Sequence, residues 1–127
     1  FVVDESYSMY SGPTSAATRQ PLDGKNRQGG IKLGEMEKDV FCSHGIMRTL
    51  HDKFYDDSDG IINYICKVCE EPAIVNESLG IYKCRNCKDK AKIVRVPFSW
   101  VANMTFHKIK AMGINVKFGI EPHMYSD

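Results

Sequence analysis

Two cysteine pairs, Cys66-Lys67-Val68-Cys69 and Cys84-Arg85-Asn86-Cys87, limit what the middle of this chain can fold into. A CxxC turn brings two thiolates within reach of one ion. Two such turns, each beside a short strand, make a tetrahedral sulfur site. Zn²⁺ accepts that geometry with bonds of about 2.3 Å and no open position. The spacing therefore predicts one structural Zn²⁺ held by Cys66, Cys69, Cys84 and Cys87. Metal binding of this kind contributes on the order of 10 kcal/mol of folding free energy at neutral pH. A redox dithiol would need one CxxC and a thioredoxin-like βαβ pattern, which is missing. Two reduced pairs buried in a core would have no reason to keep this register. The fifth cysteine, Cys42, lies beside Val40 and Phe41 and reads as a buried helix residue rather than a fifth ligand. An odd count with CxxC pairing argues for an intracellular metal site over a secreted disulfide framework.

The rest of the chain predicts a small α+β fold. Residues 1–34 read as an extended N-terminal arm with a glycine-rich loop, lacking packing partners of its own. From Glu35, apolar residues recur at Met36, Val40, Met47, Leu50 and Phe54, one face of an amphipathic helix ending near Tyr55. Gly45 weakens that helix by about 1 kcal/mol relative to Ala. Residues 56–60 form an acidic turn. Short strands are expected at 61–66, 73–75, 81–84 and 92–96, building a zinc ribbon over 61–96. Pro97 suits the first turn of a second helix over 98–112. That helix would carry Val101, Met104, the Lys108 stem, Ala111 and Met112 on one side. Gly113 fits the left-handed position after its end. A last strand at 114–118 and a loose tail from Glu121 complete the 97–127 segment. At 127 residues a compact chain buries roughly 65–70% of its unfolded surface. No run of about 18 apolar residues could cross a membrane. The start at Phe1, without Met or a signal-peptide pattern, reads as a piece of a longer protein.

Overall charge is nearly balanced, at +1, but local balances differ. Residues 83–95 carry a net +5, residues 19–32 a net +3, and residues 52–59 a net −3. Both basic stretches could contact phosphates, the alternative being a solvated surface. Over 19–32 the phosphate reading is the stronger. Its glycines permit close backbone approach and place N–H groups beside the cations. The histidines, His44, His51, His107 and His123, show no metalloprotease spacing, although His44 and His51 would share a helix face. No nucleophile triad or Walker loop is present. Glu35, Glu37 and Asp39 suit the first turn of a helix by its dipole and are not read as catalytic acids.

The block TRQPLDGKNRQGGIKLGEMEKD, then SHG, the two CxxC pairs and IKAMGI follow one another in a fixed order. Together they resemble the C-terminal region of the second-largest subunit of multisubunit DNA-dependent RNA polymerase, of eukaryotic and archaeal style. The resemblance runs from about residue 12 to about residue 118. It implies a nucleotidyltransferase subunit acting in DNA-templated transcription, catalytically inactive as a fragment. In that family the glycine-rich block holds a switch loop against the template strand and RNA–DNA hybrid. The cysteines hold zinc in the clamp, and the last helix packs on the largest subunit. Carried over, Lys25, Arg27 and Lys32 would be the basic switch positions, and Gln20, Gly24, Gly29 and Gly30 would shape the loop. Glu35, Met36 and Glu37 would open an anchoring helix.

The implied partners are the largest and other polymerase subunits, the DNA template and the hybrid, with no membrane. Catalytic Mg²⁺ would sit in the largest subunit only. The implied location is intracellular: the nucleus for a cellular enzyme, the host cytoplasm or virion for a viral one. Three departures stand out. YSMYSGP replaces a basic run, which puts phosphate contacts at Tyr7 and Met9 in question. Lys25 stands where many relatives have Arg, keeping the charge but losing the fork. Segments 41–62 and 98–110 diverge, which hints at a large cytoplasmic DNA virus. Two other readings compete. A free-standing zinc-ribbon nucleic-acid-binding module predicts a self-sufficient core. A protein-only scaffold leaves the basic glycine block unexplained.

Overall fold

A computed structural model describes residues 1–121. His123 and the tail expected beyond Glu121 lie outside the described residues. The chain divides into two units, residues 1–60 with 99–101, and residues 61–98 with 102 onward.

The first unit opens with a single helical turn, α1 (Val2–Glu5). The chain then reverses across residues 13–22. Thr14 bridges Pro21, Ser15 N–H donates to the Gln20 carbonyl (2.9 Å), and Leu22 N–H donates to Pro13 (3.3 Å). The arm is therefore folded back on itself rather than extended. Helix α2 (Glu35–His44) starts at Glu35 as expected and stops at Gly45, which takes a left-handed φ of 72°. A second short helix, α3 (Met47–His51), runs into a wide π-type turn at Asp52–Asp56. The single long helix expected over 35–55 is thus broken. The break rotates Met47, Leu50 and Phe54 off the stripe begun by Met36 and Val40, and it separates His44 from His51. Of the five predicted core residues only Leu50 is buried; Met36 is 81% exposed. Cys42 is also exposed, not buried.

The second unit is built on two small sheets. Strands β1 (Gly60–Cys66) and β4 (Ile93–Ser99) pair with each other. Near their ends Lys67 N–H donates to the Lys92 carbonyl at 2.7 Å and Trp100 N–H to that of Asp59 at 2.9 Å, an antiparallel pattern. Strands β2 (Ile74–Asn76) and β3 (Ile81–Lys83) form an antiparallel hairpin with Val75 opposite Tyr82. Asn76 caps its turn by accepting from Leu79 N–H. The buried centre is Ile65, Cys66 and Cys84. This core is thin for its length, as expected of a metal-stapled fold.

Helix α4 (Trp100–Ala111) begins three residues later than Pro97. Pro97 lies within β4, where a two-stranded sheet leaves one edge without a ladder to disrupt. The inner face of α4 also differs from expectation. Phe106 packs with Phe98 and Phe118, ring centroids 5.3 to 5.9 Å apart, and Lys110 pairs with Glu71. Lys108, Ala111 and Met112 are exposed. Gly113 takes the left-handed conformation after the helix, φ 87°. Residues 114–118 form no strand. Phe118 N–H donates to the Glu70 carbonyl at 2.9 Å, and one bond is not a ladder. Among the described residues no helix is long and apolar enough to cross a membrane.

Candidate metal centre and glycine-rich loop

Two reversals carry the cysteines. In the first, Cys66 N–H donates to the Glu71 carbonyl and Glu70 N–H donates back to that of Cys66; Glu70 takes the left-handed φ (61°) that this tight return requires. In the second, Lys88 N–H donates to the Cys84 carbonyl, with Lys88 at φ 47°. Together they gather the sulfurs of Cys66, Cys69, Cys84 and Cys87 within 4.8 Å of one another, and those of Cys69 and Cys84 lie 3.4 Å apart. A tetrahedron with bonds of about 2.3 Å has edges near ~3.8 Å, so the donor set fits one tetrahedral ion. Cys66 and Cys84 are buried and the other two half-buried.

The protons of this cluster point the same way. Backbone N–H groups, that of Cys69 foremost, outweigh burial and hold the Cys66 thiol down to about 6. Burial, then the crowding of Cys69, Cys66 and Cys84, pushes Cys87 up to about 12. Burial likewise raises Cys69. One thiolate is favoured, and each further one is resisted by the charge already there. A divalent cation removes that resistance, so the four residues are suited to hold Zn²⁺. Cys42 is not among them.

The glycine-rich loop belongs to the first unit. Gly24 takes a positive φ of 95°, and Lys25–Arg27 follow as one 3₁₀ turn. Gly29 N–H then donates to the Gly24 carbonyl and Gly30 N–H to that of Leu22. A side chain at Gly29 would put its Cβ 1.9 Å from the Leu22 carbonyl oxygen. The close approach that needs glycine here is thus to the loop's own backbone. Gly29→Ala should open the loop at a cost of about 2 kcal/mol. Hydrogen exchange of residues 22–31 in the full-length protein checks this: unchanged protection would contradict it.

Lys25 Nζ donates to the Asp4 carbonyl at 2.9 Å, and the Tyr7 hydroxyl donates to the Gly29 carbonyl at 2.7 Å, so the arm braces the loop. Arg27 is exposed. Lys32 lines an open cleft of about 480 Å³ with Gln20, Pro21, Gly30 and Phe54. Lys53 on the same cleft is paired with Asp57 (2.6 Å); Lys32 has no ion pair among the described residues.

One residue at this site had no signal in the sequence. Asp59, inside the acidic turn, is buried. Its carboxylate accepts from Val101 N–H (2.9 Å) and the Ser99 hydroxyl (2.7 Å), capping α4 from a distant point in the chain. Burial opposes its charge. Those donors, joined by the Gln20 side chain, prevail and hold its carboxyl below the ordinary value. Trp100 Nε1–H donates to the Ala17 carbonyl at 3.0 Å, and the Arg19 guanidinium sits 3.5 Å above the Trp100 ring. The strand leading into the loop is therefore fixed to the start of α4. Only Ser99, as a helix N-cap, was a local cue.

Residues 29–121 match the family model described as RNA polymerase Rpb2, domain 7. The chain is 36% identical over 113 residues to DNA-directed RNA polymerase II subunit 2 of Arabidopsis thaliana, covering 89% of this chain and 10% of that protein. It is 31% identical over 122 residues to subunit RPB2 of Schizosaccharomyces pombe, covering 96% and 10%. An RPB2 homologue of Invertebrate iridescent virus 6 is 36% identical over 106 residues, covering 84% and 9%. The chain thus spans about a tenth of the length of these relatives.

Proposed function

The chain belongs to the RNA polymerase Rpb2, domain 7 family, and from that premise we propose that it is the C-terminal segment of the second-largest subunit of a DNA-directed RNA polymerase. The carrying observation is that one family match, residues 29–121, takes in Gly29, Gly30, Lys32 and all four cysteines together. In this reading Cys66, Cys69, Cys84 and Cys87 hold a structural Zn²⁺ that fixes the ribbon as part of the clamp. The glycine-rich loop faces the template strand and RNA–DNA hybrid. Arg27 and Lys32 neutralise phosphates, with Lys25 dividing its charge between the arm and the nucleic acid. Gln20, Gly24, Gly29 and Gly30 set the loop's shape. Nucleotidyl transfer and its Mg²⁺ belong to the largest subunit. The enzyme would work in the nucleus if cellular, and in the host cytoplasm or virion if viral. The free-standing zinc-ribbon module lacks a comparable observation, since the relatives run about ten times longer.

The loop assignment is tested in the assembled polymerase. Lys25→Ala with Lys32→Ala should speed elongation-complex dissociation, and the log–log salt slope should fall by about 1.5 for two lost phosphate contacts. Equal lifetimes at every salt concentration would remove the loop from the nucleic-acid path.

A further inference from the structure

The cations of the ribbon are left over from this account. Lys67 follows Cys66, Lys83 and Arg85 flank Cys84, and Lys88 follows Cys87. The fold that draws the four sulfurs within 4.8 Å therefore draws these four cations around the same knuckles. Lys90 N–H donates to the Cys87 carbonyl, and Lys92 accepts at its carbonyl from Lys67 N–H, which brings both onto the same ground. All six side chains are exposed, and none forms an ion pair among the described residues. Over 83–95 the sole opposing charge is Asp89. Four thiolates around a divalent ion leave two surplus negative charges; six cations exceed what that surplus needs. Tyr82, beside Lys83, is 52% exposed, and an aromatic ring among cations is the usual platform for an unpaired base.

We propose that this face of the ribbon is a second phosphate-binding surface, separate in sequence from the glycine-rich loop, that holds a single strand of nucleic acid by its backbone. The metal knuckles arrange the cations, and Tyr82 offers a stacking face. The inference rests on the polymerase reading for the nature of the polyanion. The shared chemistry is a phosphodiester strand, with the transcript and a separated DNA strand as its two sources.

The test uses elongation complexes of the complete polymerase. Photoreactive thiouridine is placed in the RNA, or thiothymidine in either DNA strand, and crosslinked peptides are mapped. A crosslink to the peptide carrying residues 83–95 is expected; an RNA probe giving it identifies the transcript, a DNA probe the separated strand. Combining Lys83→Ala, Arg85→Ala, Lys88→Ala and Lys90→Ala should reduce the crosslink about tenfold and lower the log–log salt slope by about 3, at ~0.7 per single-strand phosphate contact. Exchanging Lys and Arg at the same four positions should keep the crosslink. Absence of any crosslink in the unaltered enzyme overturns the proposal, whatever the variants do. So does an unchanged salt slope in the alanine variant with its zinc retained. If Lys25 and Lys32 still govern complex lifetime while this face fails, the polymerase reading survives and only this inference falls.

Discussion

Cys66→Ser or Cys84→Ser is expected to release the metal and unfold residues 61–98. Both sulfurs are buried and lie at the centre of the second unit, whose buried core is otherwise Ile65 alone. A metal contribution on the order of 10 kcal/mol is comparable to the whole stability of an ordinary domain. Loss of one thiolate therefore cannot be absorbed by so little apolar burial. Zinc content measured by mass spectrometry should fall from one per chain, and amide protection across 61–98 should collapse. Acid should act similarly, because binding displaces thiol protons and the affinity falls with pH. Cys42→Ser should change neither zinc content nor protection, since Cys42 is exposed and outside the cluster. A full zinc complement and unchanged protection in the Cys66 variant would rule out the metal role.

Asp59→Ala is the second large effect. It strips Val101 N–H, the Ser99 hydroxyl and the Gln20 side chain of a charged acceptor at once. Buried hydrogen bonds to a charged group contribute about 1.5–3 kcal/mol each, and a lost helix cap about 1, so a loss of about 3 kcal/mol is a conservative sum. Exchange in peptides around 14–21 and 99–101 should quicken by about 100-fold. The carboxyl is held below its ordinary value in the folded state. Its contribution is thus complete above the unfolded value near ~4 and fades as pH falls through the lower folded value. Asp59→Asn should retain partial protection and lose that acid dependence. If alanine leaves both segments as protected as before, Asp59 does not join them.

How much of this was legible in the sequence varies by element. The zinc ligands were, because a CxxC register is local and its chemistry does not depend on neighbours. The start of α2 at Glu35 and the left-handed Gly113 were also readable from a few adjacent residues. The helix break at Gly45 was visible as a weakness but not as a stop. Whether a glycine ends a helix depends on what the following turn can pack against. The missing strand at 114–118 failed for the complementary reason: β propensity needs a partner edge, and only the fold decides whether one is free.

The sequence by itself determined the metal centre, the mixed fold class and the family, since each is written in short-range spacing or in a contiguous block. Tertiary structure alone decided that Asp59 caps a helix forty residues away and that Gly29 presses on the loop's own carbonyl. It also gathered the cations beside the cysteines into one face. Those facts depend on which distant backbone groups meet, and chain closure fixes that, not the pattern of residues along any one segment.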